Sequence, residues 1–249
     1  MESIITNKKL RTKKTRKEGI TMMIDKGISI SQAKYFLETS KEYTDIIKLG
    51  FGTSIITPNV IEKVRLYQKN NIQVYLGGTL FEYFFSRNKI KEYEDFVNYL
   101  GISMVEISDG CIDIDHSEKC NQIKKFSNNF IVLSEVGSKT KNIENDKWLE
   151  NIEKEIIAGS WKIIAEAREG GNIGICEENG NIKSDLIDDI VKKTSIEQII
   201  WEAPKKSQQS WFINKFGLNV NLGNISYDDI IPLECLRLGL RADTFKKFL

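Results

Sequence analysis

The chain has 249 residues, 41% of them hydrophobic and 29% charged, a balance that supports a sizeable buried core. A net charge of +1 gives no global electrostatic reason to expect nucleic acid or an anionic membrane as partner, and no stretch approaches the roughly 20 apolar residues of a membrane span. Four cysteines without a C-x-x-C pair, and an N-terminal stretch too polar for a secretory signal, lead us to expect a soluble cytoplasmic protein.

The chain opens with KKLRTKKTRK (residues 8–17), seven basic residues in ten. Such a run either binds phosphate or nucleic acid, or packs as an arm over the floor of the fold or a neighbouring subunit. Without interleaved aromatics it is not expected to bind nucleic acid. Then come apolar, β-rich runs that end in charge and break at glycine, proline or a small polar residue. They are ITMMID before Lys26-Gly27, YTDIIK before Leu49-Gly50, MVEISD before Gly110 and FIVLSE before Val136-Gly137. WKIIAEARE, QIIWE and LNVNL follow, and an eighth run, IQVYL, ends on Gly77-Gly78. Helical patterns lie between them. Thr57-Pro58 is expected to open NVIEKVRLYQKN, with Thr57 as the N-cap. Asp146 precedes KWLENIEKEIIAG, where Trp148, Ile152, Ile156 and Ile157 are expected on one apolar face and Gly159 can end the helix. Ser184 and Asp228-Asp229 precede further helical stretches, and Arg237 and Arg241 in RLGLRADT are placed four apart on one helix. Eight such units point to an α/β fold, a single-domain (β/α)8 TIM barrel, with residues 1–18 as a short basic arm and 19–249 as the barrel.

In such a barrel the side chains at the C-terminal strand ends point into the active site. That rule selects Asp25 and Lys26, Lys48, Glu106 with Ser108 and Asp109, Glu135 with Lys139 just beyond, Glu166 with Arg168 and Glu169, Glu202 with Lys205, and Asn221 with Asn224. Carboxylates gathered in one mouth repel unless cations neutralise them; lysine, arginine and a divalent cation can do so. The lone histidine, His116, is read as a surface loop residue in DIDHSEK, so a His-rich zinc site is excluded and oxygen ligands favour Mg2+ or Mn2+. The glycine turns Gly77-Gly78, Gly170-Gly171 and Gly223, with Arg168, suggest a phosphorylated substrate approached by backbone N–H groups.

IDKG, KLGFGTS, GGTLFE, VEISDG, LSEVGSK, EAREGG, WEAPKKSQQ, VNLGNI and LECLRLGLRADT stand in the order and spacing of the phosphosulfolactate synthases, and the chain resembles the bacterial members of that family over nearly its whole length. The resemblance implies a TIM barrel, Mg2+ dependence, and addition of sulfite to phosphoenolpyruvate to give (2R)-phospho-3-sulfolactate. In methanogenic archaea that reaction opens coenzyme M biosynthesis, and in some bacteria it leads to sulfolactate. On this footing Lys139 is the expected proton donor with Lys48 as its alternative, and Arg168 is the third catalytic candidate. Asp25, Glu106, Glu135 and Glu166 are the metal candidates, while Arg168, Gly171, Asn221, Gly223 and Lys26 are the substrate candidates. A homo-oligomer is an expectation of the same kind. Two departures stand out. Gly170 replaces a serine usual in the family, and Phe51 a tryptophan. The alternatives are a non-catalytic member, like the plant heat-stress-associated protein of this family, or a related Mg2+-enolate lyase with a different nucleophile.

Overall fold

The structure, a computed structural model, describes residues 6–137 and 144–248. The eight apolar runs become strands β1 (Thr21–Asp25), β2 (Ile46–Leu49), β3 (Gln73–Leu76) and β4 (Met104–Ile107), then β5 (Ile131–Val136), β6 (Lys162–Ala165), β7 (Ile199–Glu202) and β8 (Leu222–Ile225). Hydrogen-bonded neighbours run β3-β2-β1-β8-β7-β6-β5-β4, every pair parallel. Because β4 also packs beside β3, the sheet rolls into a nearly closed barrel with alternating helices outside it, as the sequence pattern predicts.

Side chains on a strand alternate faces, so each strand contributes to two different cores. Ile20, Met22, Ile46, Tyr75, Met104, Leu133, Ile164 and Ile200 fill the bore, all nearly inaccessible to water. The opposite faces, with Met23, Ile47, Val74, Val105, Val132, Ile163 and Trp201 among them, pack against the helices. Each such aliphatic side chain contributes about 1.5–3 kcal/mol by leaving water. Between β1 and β8 the register slips: Thr21 aligns with Leu222 and Met23 with Ile225, leaving one extra residue on β8. Asn224 takes a left-handed φ of 55° within that stretch, at the register shift.

The floor, at the N-terminal strand ends, is tied by polar groups. Arg237 is fully buried and donates to the carbonyls of Leu218 (2.6 Å), Val220 (2.7 Å) and Ile20 (3.3 Å). Burial, with Arg11 nearby, holds its pKa well below the ordinary arginine value. The basic arm packs here: Arg11 pairs with Glu234 at 3.1 Å and Arg16 with Asp45 at 3.0 Å.

Four local expectations are corrected. Thr57 does not open a helix: its N–H closes the short helix Thr53–Ile56, and Asn59, at φ 55°, precedes the helix Val60–Lys69. In the helix Asn145–Ala158, Gly159 ends the helix as expected, with φ 119°. Ile157, however, is 78% exposed, because the helix turns Glu155 inward to meet Lys119 at 2.8 Å. His116 is not a loop residue: it begins the helix His116–Ser127 and its Nε2 lies 3.0 Å from Glu155. Arg237 and Arg241 do not share a helix, since the first ends Ile230–Arg237 and the second precedes Ala242–Phe245.

Candidate active site

Two residues beyond the apolar bore layer, the same inward face turns polar. Ile46 is followed by Lys48, Met104 by Glu106, Leu133 by Glu135, Ile164 by Glu166 and Ile200 by Glu202. The period of two thus sets one lysine and four glutamates at the C-terminal mouth, all of them buried. Lys48 Nζ lies 3.1 Å from Glu106, 3.3 Å from Glu202 and 3.4 Å from Glu135. Burial alone would lower its pKa, but the surrounding charges, Glu106 foremost, override this and hold it well above the ordinary lysine value. These three carboxylates favour the ammonium form of Lys48.

Backbone donors aim the carboxylates. Glu106 Oε1 accepts the Gly78 N–H at 2.8 Å, Glu202 Oε2 accepts the Ala167 N–H at 2.9 Å, and Glu166 Oε1 accepts the Arg168 N–H. Gly78 has to be glycine, because a Cβ there would overlap Ser108 Oγ and Glu106 Oε1. Tyr75, from β3, reaches the same layer; its hydroxyl points at Met22 Sδ, 2.8 Å away. Burial, then the Glu106 charge, pushes its pKa well above the ordinary phenol value. A shell of ion pairs supports the mouth from outside: Lys119 bridges Asp109 and Glu155, each at 2.8 Å, and donates to the Glu135 carbonyl at 2.6 Å. Glu82 fixes the loop after β4 by accepting from Ser108 Oγ and from the N–H groups of Gly110 (3.1 Å) and Cys111 (2.8 Å).

Glu135, Glu166 and Glu202 each present an oxygen, and these three atoms lie within 4.8 Å of one another. Carboxylate oxygens are hard ligands, so these three residues could hold a hard cation rather than a soft one.

The structure brings together Lys48, Glu106, Glu135 and Glu166, with Arg168 at the rim. Arg168 is exposed on the turn after β6 at φ 57°, and its guanidinium makes no ion pair among the described residues. Other candidates lie elsewhere. Asp25 faces outward, where Oδ2 meets Lys63 at 2.8 Å and Tyr67 at 2.9 Å while Oδ1 accepts the N–H groups of Gly27 and Ile28. Asn221 sits just before β8 at the floor, accepting from the Ile20 N–H and donating to the carbonyls of Glu197 and Ile199. Gly223 lies within β8 against Met22 rather than in a loop. Gly171 is buried against Gln208, its carbonyl accepting the Gln208 amide at 2.8 Å and its N–H closing a turn on Arg168. Lys26 is exposed beyond β1, and Lys139 lies outside the described residues. The sequence reading passed over Tyr75 altogether and Glu202 as a metal ligand, although alternation with Ile200 marks Glu202 as inward-facing. At the tip of β8 the Asn224 side chain is buried, with no hydrogen-bond partner for Oδ1 among the described residues.

Comparison with known proteins agrees with this architecture. The family model for (2R)-phospho-3-sulfolactate synthase (ComA) matches residues 9–243. A phosphosulfolactate synthase of Bacillus subtilis is 41% identical over 95% of this chain and 96% of its own. One of Methanocaldococcus jannaschii is 43% identical over 92% of this chain and 94% of its own. Among solved structures, the YdjI aldolase from Escherichia coli K12 superposes with a TM-score of 0.58 at 12% identity, covering 99% of this chain and 92% of that one. At that identity the likeness speaks for the barrel alone.

Proposed function

The chain belongs to the (2R)-phospho-3-sulfolactate synthase family, and from that premise we propose that its mouth adds sulfite to phosphoenolpyruvate in an Mg2+-dependent reaction. The observation that carries the reading is the buried layer of Lys48 with Glu106, Glu135, Glu166 and Glu202 at the C-terminal strand ends. Sulfite attacks the methylene carbon of the substrate, and the electron pair of the double bond moves toward the carboxylate to give an enediolate. A proton then arrives at the phosphate-bearing carbon from one face, which sets its configuration.

The residues divide this work. Glu135, Glu166 and Glu202 would hold Mg2+, which supplies positive charge for the substrate carboxylate as the enediolate develops. Lys48, held cationic and aimed by three glutamates, orients those carboxylates and adds fixed positive potential beneath the reacting carbons. Glu106 anchors Lys48 and is itself anchored by Gly78. Arg168, at the rim, is the cation that meets the substrate phosphate. The proton donor we assign is Lys139, from the LSEVGSK motif just beyond β5. Lys48, held among three carboxylates, serves electrostatics instead.

The test is the rate of phosphoenolpyruvate loss at varied sulfite and Mg2+ for the wild type and Glu202→Gln. We expect loss that requires both sulfite and metal, with Glu202→Gln needing about 10–100-fold more metal. Metal-independent turnover, or an unchanged metal requirement in the variant, would contradict the assignment.

A further inference from the structure

The face of the barrel opposite the mouth is built around a concentration of positive charge. A cleft of about 770 Å³ opens there, between the basic arm and the segment around Glu42, Tyr43, Glu234 and Leu238. Six cations line it, Lys8, Lys9, Arg11, Lys13, Lys14 and Arg16, against two carboxylates, whereas the chain as a whole carries only +1. Part of the local counter-charge is already engaged. Glu234 is held by Arg11, and Arg16 is paired with Asp45 outside the cleft lining. Lys14 Nζ rests on a carbonyl, that of Lys41 at 2.8 Å, rather than on a carboxylate. Lys9 and Lys13 are exposed and make no ion pair among the described residues.

One group in this cleft is both buried and incompletely satisfied. The Arg11 side chain is 4% exposed, its Nε is bonded to Glu234, and its Nη2 has no hydrogen-bond partner among the described residues. Arg11 and Lys14 both have their pKa lowered, by burial first. An anion entering the cleft relieves the crowding of like charges and supplies acceptors for donors that lack them. A second cleft of about 740 Å³, sharing Lys14, Arg16 and Glu42, runs on across the bottom of the bore to Trp161.

We propose that the barrel floor is a binding site for a small polyanion with closely spaced negative charges, of the polyphosphate class. The cleft is concave and of the size that encloses a small ligand. Tyr43 is the aromatic residue in its lining, which gives no platform for the successive base stacking that single-stranded nucleic acid uses. The site stands apart from the mouth, because the two lie at opposite ends of the same strands, and it does not depend on the reaction proposed above.

The experiment is isothermal titration of the full chain with inorganic pyrophosphate, metal chelated by EDTA, for the wild type and for Lys9→Glu/Lys13→Glu. Both lysines are exposed, so the variant is expected to fold, and its circular dichroism and melting curve check this. The expected result is one-site binding that weakens with added salt and falls by about tenfold or more in the variant. Glu166→Gln, at the mouth, should bind pyrophosphate like the wild type. The proposal is overturned by no binding or by binding undiminished in the floor variant.

Discussion

Replacing Lys48 by methionine removes the buried cation of the mouth while nearly preserving volume. Three carboxylates lie within 3.1–3.4 Å of its Nζ. At an effective dielectric of about 20, each such pair attracts by about 5 kcal/mol. Desolvation of the ions and repulsion among the carboxylates cancel most of that, and breaking a buried pair costs about 3–5 kcal/mol net. Domains are stable by about 5–15 kcal/mol, so Lys48→Met should fold with a clearly reduced urea midpoint. The pH dependence tests the reasoning more sharply. The folded pKa of Lys48 is raised, so its contribution is fully present below the unfolded value and is lost only as pH climbs through the folded one. The stability difference between wild type and variant should therefore not shrink from about pH 7 to about pH 9.5. Urea titrations across that window measure it. A difference that shrinks by more than about 1 kcal/mol would refute the fixed-cation reading and restore Lys48 as an acid–base group.

Asp25→Asn should cost about 2–3 kcal/mol of stability by uncoupling Lys63 and Tyr67, and leave Mg2+ affinity measured by calorimetry unchanged. Gly78→Ala should lose about 1–3 kcal/mol in thermal melts, because the new methyl overlaps Ser108 and Glu106, and turnover should fall with it. Arg168→Gln, at an exposed position, should leave the melting temperature within about 1 °C of the wild type while raising KM for phosphoenolpyruvate, as expected for a rim cation that meets the phosphate.

The barrel was legible because its strands announce themselves twice, by apolar runs and by charge at their downstream ends. The polar layer was legible for the same reason: Glu106, Glu135, Glu166 and Lys48 each stand at a strand tip. The misplacements come from treating a tip as a position without a face. Asp25 follows Ile24, so if Met22 points into the bore, Asp25 must point out, and the outer helix Val60–Lys69 supplies Lys63 and Tyr67 to receive it. Asn221 was taken for a tip although β8 begins one residue later, which puts its amide at the floor. The bulge at Asn224 resets alternation within β8, and no local pattern signals that. Arg237 was illegible for another reason: which carbonyls a helical arginine reaches depends on how the last helix docks across the floor.

The most direct test of the account is phosphorus NMR of the purified protein with phosphoenolpyruvate, sulfite and Mg2+, omitting each component in turn. The account predicts a new phosphate-ester resonance that needs all four together, with the phosphorus still bonded through oxygen to the substrate carbon. Release of inorganic phosphate, an ester formed without sulfite, or no turnover by folded, metal-loaded protein would contradict it.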